Sequence, residues 1–475
     1  VGCCCCCCCC CCCCCCCCCC CCRCRCCCCC CWASAFYPSP FEEAALLSVD
    51  GMGDFTSTMV GIGKGPDIQV LAEVNYPHSL GMFYTSFTQY LGFPHYGDEY
   101  KVMGLAPYGE PEFLKELDAF VQYDGQYGLR LNKSMYPHFK KGVDMNWDGG
   151  SPVIGNLFSK GFEEVFGPAR QKGEELTQKH KNLATSVQRK CEEIIFNILK
   201  KLQEDTGLKN LCIAGGVAQN SVANGKIRAQ TGFENVYVPC AGHDAGTAAG
   251  SALYHMHQNL GIKRHAPDYN PYTGYQATDT EIESCLQPIS QTWNKVEEES
   301  DLFDAVCDCL EKGGVVGWYQ GRAEFGPRAL GHRSILADPR RNDVKEILNL
   351  KIKRRESFRP FAPSILKEFV DEYFEDADFV PFMEKVYPIK PEKHTEIPAV
   401  THVDGTGRLQ SVDKSIEPRY YGLIDRFRER TGVPILVNTS FNENEPIVNT
   451  PQEALDCFLR TKMDMLVLGD YVVTR

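Results

Sequence analysis

Between Arg322 and Arg359 the chain carries eleven Lys or Arg against five Asp or Glu, in a protein whose formal net charge is −12. Solvated charge runs usually sit on helices built from Lys, Glu and Gln. Here Arg322, Arg328 and Arg333 are instead set among Gly321, Gly326, Pro327 and Gly331. Glycine lets backbone amides approach a ligand, proline fixes the direction of the chain, and arginine offers a planar fork of donors matched to phosphate oxygens. The segment predicts an anion cradle, against the competing reading of an Arg-rich surface salted with Glu and Asp.

A second set of candidates lies nearer the start. Ala44 to Val49 reads as an apolar strand ending in Asp50-Gly51, with a Thr/Ser-rich strand beyond Asp54. That is a β-hairpin with an acidic residue at its turn, although Asp-Gly is also a common turn signal with no further role. NLCIAGG then predicts a strand running into Gly215 and Gly216, before a helix that begins near Gln219 and Asn220. The two glycines would leave a flat floor for a purine and ribose beside helix N-terminal amides. NVYVPCAGHDAG repeats the plan, with Gly242 and Asp244 at the strand-to-helix turn where α/β folds place ligand-binding groups. The helix after it, carrying Gly246, Ala248, Ala249 and Gly250, reads first as a close-packing surface. Glu99 and Lys101 are expected to pair with each other.

These groups need a scaffold of α/β units. Leu183, Val187, Cys191, Ile194, Ile198 and Leu202 recur at intervals of three or four, the stripe of an amphipathic helix laid on a sheet. A chain of 475 residues is too long for one core, so two domains are expected, 1–272 and 300–475, joined by a polar linker at 273–299. Residues 3–31 are Cys except Arg23 and Arg25 and account for 27 of the 34 cysteines. Metal motifs and disulfide frameworks both need spacers between their cysteines. The tract is therefore read as a stretch of unassigned side chains, and no signal peptide can be read in it. The other seven cysteines, with no paired pattern except Cys307-x-Cys309, fit buried thiols in a reducing compartment. No run approaches the ~20 apolar residues of a membrane span, and the acidic balance argues against nucleic acid. A cytoplasmic protein with no membrane partner is expected.

GRAEFGPRALGHRSILADPR, IKRRESFRPFAPS and LVNTSFNENEPIV resemble the C-terminal signature of the NodU/CmcH-type O-carbamoyltransferases. The resemblance implies a YrdC-like second half, in which Lys353 and Arg355 match a Lys-x-Arg pair and Ser440 and Asn442 a Ser-x-Asn pair. The order of Asp hairpin, Gly-Gly and Gly-x-Asp-Ala-Gly is similar to the actin-like ATPase (ribonuclease H-like) domain of the same family, so the likeness runs from about Ala33 to Arg475. It implies ATP, Mg2+ and carbamoyl phosphate, with carbamoyl-adenylate formed where Arg322, Arg328, Lys353, Arg355 and Arg359 meet the phosphates beside Ser440 and Asn442. The first half would hold the adenylate through Asp50, Gly51, Gly215, Gly216, Asn220, Gly242 and Asp244 and pass the carbamoyl group to a hydroxyl of a small natural product. The family also carries a transition metal such as Fe2+ at a His/His/Asp site. Alignment puts those histidines at positions 27 and 31, where this chain reads Cys, leaving Asp244 as the visible ligand and the general base within the unread tract.

Three rivals stay open on sequence. A sugar-kinase-like phosphotransferase shares the first fold but leaves the basic second half unexplained. A threonylcarbamoyl tRNA-modifying enzyme shares both fold types but calls for a broad basic face. A non-catalytic nucleotide-binding scaffold fits if the first thirty residues truly lack catalytic side chains. The acceptor and the oligomeric state are not legible.

Overall fold

The computed structural model of the chain describes residues 26–146, 152–264 and 269–475, so most of the Cys tract, and the side chain at position 27, lie outside the described residues. Strands β1 (Glu43–Val49), β2 (Thr56–Lys64) and β3 (Asp67–Asn75) form an antiparallel meander. Two short ribbons follow, β4 (Val121–Tyr123) with β5 (Leu129–Leu131) and β6 (Met145–Asn146) with β7 (Val153–Ile154). Then β8 (Asn210–Ala214) and β9 (Asn235–Tyr237) join β1 in parallel, and the first sheet runs in the order β3-β2-β1-β8-β9. A meander extended by parallel strands on its β1 side is the ribonuclease H-like arrangement expected of the first half.

The helix Gln178–Thr206 lies over this sheet. Its stripe of Leu183, Val187, Cys191, Ile194, Ile198 and Leu202 is at most 1% exposed, and it ends at Gly207 in the left-handed region (φ 67°). On the other face the helix Cys26–Phe36 sets Trp32 and Phe36 flat on β2. Glycine is required beneath them, since a Cβ at Gly61 or Gly63 would sit 2.6 Å from those rings. The helix Gly246–Tyr254 packs on the same element so closely that a Cβ at Gly250 would stand 1.9 Å from the Cys30 carbonyl. The small residues there serve packing, as expected.

The second sheet is mixed, nine-stranded, and built from β10 (Thr292–Lys295), β11 (Val316–Tyr319), β12 (Arg333–Ala337), β13 (Ala362–Leu366), β14 (Lys385–Pro388), β15 (Thr406–Val412), β16 (Ile435–Ser440), β17 (Met465–Leu468) and β18 (Tyr471–Thr474). Their order is β10-β18-β17-β11-β12-β16-β13-β15-β14. The helices Glu299–Glu311, Pro418–Thr431 and Pro451–Arg460 cover it with Leu302, Val306, Leu423, Phe427, Leu455 and Phe458.

The segment 273–299 is not an irregular linker. It holds the helix Asp279–Leu286, closed by a capping box of Thr278 and Glu281, and strand β10, which pairs with β18 from Thr292↔Thr474 to Lys295↔Tyr471. An edge strand with one half-buried side chain, Trp293, and a helix that buries only Ile282, Cys285 and Leu286 both read as polar sequence. Among the described residues no helix is long and apolar enough to cross a membrane.

The two halves are in contact along a broad seam. Asn224 donates to the Glu384 carbonyl (3.0 Å), Lys385 Nζ to the Val236 carbonyl (2.9 Å) and the Tyr272 hydroxyl to the Leu330 carbonyl (2.9 Å).

Candidate functional site

A cavity of about 1100 Å³ opens between the halves, and both sets of candidate residues line it. From the first half come Asp50, Gly51, Gly216, Asn220 and Asp244, and from the second Arg328, Lys353, Arg355, Arg359, Ser440 and Asn442. The hairpin, the two strand-to-helix turns and the basic segments therefore meet in one place. They meet because the loop carrying Arg328 docks on the first half: Gly326 adopts φ 128°, and a Cβ there would lie 2.2 Å from the Cys240 carbonyl.

The acidic end is built at the tip of β1. Asp50 closes the hairpin through its amide to the Ser57 carbonyl (2.8 Å), and its Oδ1 accepts from the Gly51 (2.7 Å) and Gly216 (3.3 Å) amides. Burial, and then the neighbouring Asp244 carboxylate, push its carboxyl up to about 6. Two carboxylates this close favour sharing a proton or a cation. Asn220 caps the helix Ser221–Gln230 by accepting from the Ala223 amide (3.1 Å) and is fixed by exchange of amide hydrogen bonds with Gln188.

The basic wall belongs to the second half. Lys353 is 2% exposed, with its ammonium on Asn442 Oδ1 (2.6 Å), the Asn442 carbonyl (2.7 Å), Ser440 Oγ (3.3 Å) and the Ser440 carbonyl. Lys353 thus ties the Lys-x-Arg motif to both residues of the Ser-x-Asn pair. Burial holds the Lys353 amine well below its ordinary range, with Arg355 adding repulsion. Arg355 bonds Asn349 through Nε (2.8 Å), stacks on Phe361, and is lowered to about 10 by burial and then Arg359. Arg359 pairs with Glu356 (2.6 Å) and lies over the Tyr100 ring.

Three candidates do not reach the cavity wall. Arg322 is exposed and donates to the Thr273 carbonyl (3.3 Å). Gly215, at φ 94°, is wedged where a Cβ would be 2.2 Å from the Val49 carbonyl, and its amide donates to the Gly242 carbonyl (2.7 Å). Both glycines are buried beneath the floor that Gly216 and His243 present. Arg333, from the same basic run, is fully buried over Tyr319 and tied to the Gln320, Gly321 and Tyr275 carbonyls. Glu99 and Lys101 both line the cavity but not as a pair, since Lys101 binds Asp98 (2.8 Å) and Glu356 (3.5 Å) while Glu99 accepts from Thr85 (2.6 Å).

Sequence reasoning missed Arg408, Lys345, His402 and His243, all of which line the cavity. Arg408 is a single charge on a strand and Lys345 lies within the basic run, so neither stood out. Burial and the Arg328 and Arg355 guanidiniums push Arg408 well down.

The donor set suits a polyanion with a hard cation at its acidic end. A three-ligand transition-metal site is another matter: Cys31 is 1% exposed in the apolar layer with Trp32 and Phe36, and among the described residues no three His, Cys, Asp or Glu side chains lie together to hold a metal ion.

Comparison with known proteins identifies the family. The profile described as carbamoyltransferase N-terminus matches residues 27–253, and that described as carbamoyltransferase C-terminus matches residues 307–475. An uncharacterized protein of Synechocystis is 42% identical over 93% of this chain and 74% of its own length. Nodulation protein NolNO of Sinorhizobium fredii is 40% identical over 93% of this chain and 62% of its own, and nodulation protein NolO of Bradyrhizobium diazoefficiens 39% over 93% and 77%. Full-length HypF, solved in a phosphate- and nucleotide-bound form, overlays 39% of this chain and 25% of its own at 19% identity and a TM-score of 0.25, too partial to carry an argument. On the two profile matches and the likeness to NolO over 93% of this chain, this chain belongs to the carbamoyltransferase family and is a carbamoyltransferase.

Proposed function

We propose that the chain is an ATP-dependent O-carbamoyltransferase acting on a hydroxyl of a small natural product in the cytoplasm. Carbamoyl phosphate and ATP, with one water consumed, give carbamoyl-adenylate, phosphate and pyrophosphate. The acceptor hydroxyl then attacks the carbamoyl carbon, and AMP leaves. Every species before transfer is anionic, so the work of the protein in the first step is electrostatic clamping. Arg328, Arg355 and Arg359 hold phosphate oxygens. Lys353 orients Ser440 and Asn442, whose polar atoms are left to bond the triphosphate or the carbamoyl end. Asp50 and Asp244 would hold Mg2+, which when bound neutralises phosphate charge, while Gly51, Gly216 and Asn220 shape the floor beneath the nucleotide.

One observation carries this reading: the cationic wall and the acidic pair face the same cavity, so an adenylate made against one need not leave the protein to reach the other. The experiment is carbamoyl-phosphate-dependent ATP-pyrophosphate exchange. Lys353→Ala is expected to lower it by at least about 100-fold, the scale of losing one preorganised charged contact. Exchange at the normal rate in that variant would refute the assignment.

A further inference from the structure

Segment 353–361, which carries part of the basic wall, is held from both sides of the seam. Its own half supplies Asn349, whose Nδ2 donates to the Arg359 carbonyl (3.3 Å) and whose carbonyl accepts from the Arg355 amide (3.0 Å). The first half supplies the stretch around the helix Glu99–Leu105. Arg359 lies 4.7 Å over the Tyr100 ring, Phe358 meets Phe93 edge-on at 6.3 Å, and Pro360 sits where a Cβ at Gly104 would be 3.6 Å away.

Within this contact one row of charges crosses from half to half. Asp98 Oδ1 holds Lys101 Nζ (2.8 Å), Lys101 reaches Glu356 Oε1 (3.5 Å), and Glu356 Oε2 pairs with Arg359 (2.6 Å). The row alternates in sign, and the side chains of Asp98, Lys101 and Arg359 are only 8%, 12% and 15% exposed. Charges this sheltered are screened far less than an open surface pair. The Lys101 ammonium also lies 5.5 Å over the Phe93 ring that Phe358 meets, so ion pair and apolar contact fix the same turn of chain.

Glu356 is the only acid in a run that holds Lys353, Arg354, Arg355 and Arg359. Of that run's cations, Arg359 takes it, and Lys101 draws on its other oxygen from across the seam. Arg359 lines the cavity and keeps a buried Nε without a partner among the described residues, so a small shift of Glu356 changes what this guanidinium offers a ligand.

We propose that Lys101 is a positioning residue: from the first half it holds Glu356, and through Glu356 it sets the Arg359 guanidinium against the cavity, so that the basic wall is complete only when the two halves are docked. The inference rests on the polyphosphate reading above for the ligand that Arg359 meets, and adds to it a residue of the other half.

The test is calorimetric binding of a non-hydrolysable ATP analogue with Mg2+ to the full chain. Lys101→Met is expected to weaken it by about three- to tenfold, the scale of coupling within a shared charge network. Lys101→Arg, which keeps a cation of similar reach, should recover most of that loss. Lys101 lines the cavity itself, so Glu356→Gln decides how it acts. Removing a negative charge from beside a polyphosphate tightens binding if charge alone counts. A positioning row predicts weakening instead, with no further loss in the double variant Lys101→Met/Glu356→Gln. Tighter or unchanged binding by Glu356→Gln, additive losses in the double variant, or a Lys101→Met protein that melts lower with unchanged affinity overturns the inference. If Lys101→Met does not fold, the sign of the Glu356→Gln effect carries the test. Should wild type and variants show the expected pattern without any carbamoyl-phosphate-driven exchange, the proposed reaction is wrong and the positioning row stands.

Discussion

At the scale of residues, the site is a balance of desolvated charge. The Asp50 carboxyl is raised to about 6, so in the folded protein it holds a proton that the unfolded chain, near 3.8, has already released. Its contribution to stability is complete below about 3.8 and is lost as pH rises through about 6. Asp50→Asn, which keeps an oxygen for the Gly51 and Gly216 amides, should remove that decline. A pH series of thermal melts is expected to show the variant gaining on wild type between pH 4 and 7, by on the order of 1 kcal/mol at neutral pH. A parallel decline in both proteins would separate Asp50 from the effect.

At the scale of elements, position is decided by where a turn lands. Arg322 and Arg328 are six residues apart in one basic run, yet one is exposed on Thr273 and the other lines the cavity. The difference lies at Gly326, whose positive φ and contact with the Cys240 carbonyl turn the chain inward. Gly326→Ala puts a Cβ into both the strained φ and the 2.2 Å gap. It should cost about 1–3 kcal/mol in denaturant unfolding and displace Arg328, weakening phosphate binding in the same variant. An alanine variant of full stability would mean that the loop docks by other contacts. The elements themselves were largely legible: the 3.6-residue stripe of Leu183 to Leu202 and the apolar run before Asp50 are local patterns that survive into the fold. Segment 273–299 was not, because an edge strand and a marginal helix bury too few side chains to write a period.

At the scale of the whole molecule, two α/β halves bring a cationic wall and an acidic pair to one cavity, and on the function proposed above a polyphosphate with its Mg2+ would touch both. Ligand that binds only the folded form raises stability by RT ln(1 + [L]/Kd), about 2.7 kcal/mol at a hundredfold excess over Kd. ATP with Mg2+ should therefore raise the melting temperature by several degrees, more than AMP does, and the gap should narrow in high salt as the exposed parts of the wall are screened. Equal shifts for AMP and ATP would mean that the wall does not grip the polyphosphate.

The sequence alone determined the α/β class of the halves and the location of the basic run, because turn chemistry and periodicity are local, while the pairs Lys353/Arg355 and Ser440/Asn442 were implied by the family resemblance. The family likeness was equally legible in contiguous words such as GRAEFGPRALGHRS. Only the tertiary structure decided that the two expected sites share one cavity, that Gly215 and Gly242 lie beneath its floor, and that Lys101 reaches Glu356 across the seam. Those facts depend on which side of a strand or loop faces a partner hundreds of residues away, and on which cations find a carboxylate. Neither is encoded in the spacing of nearby residues.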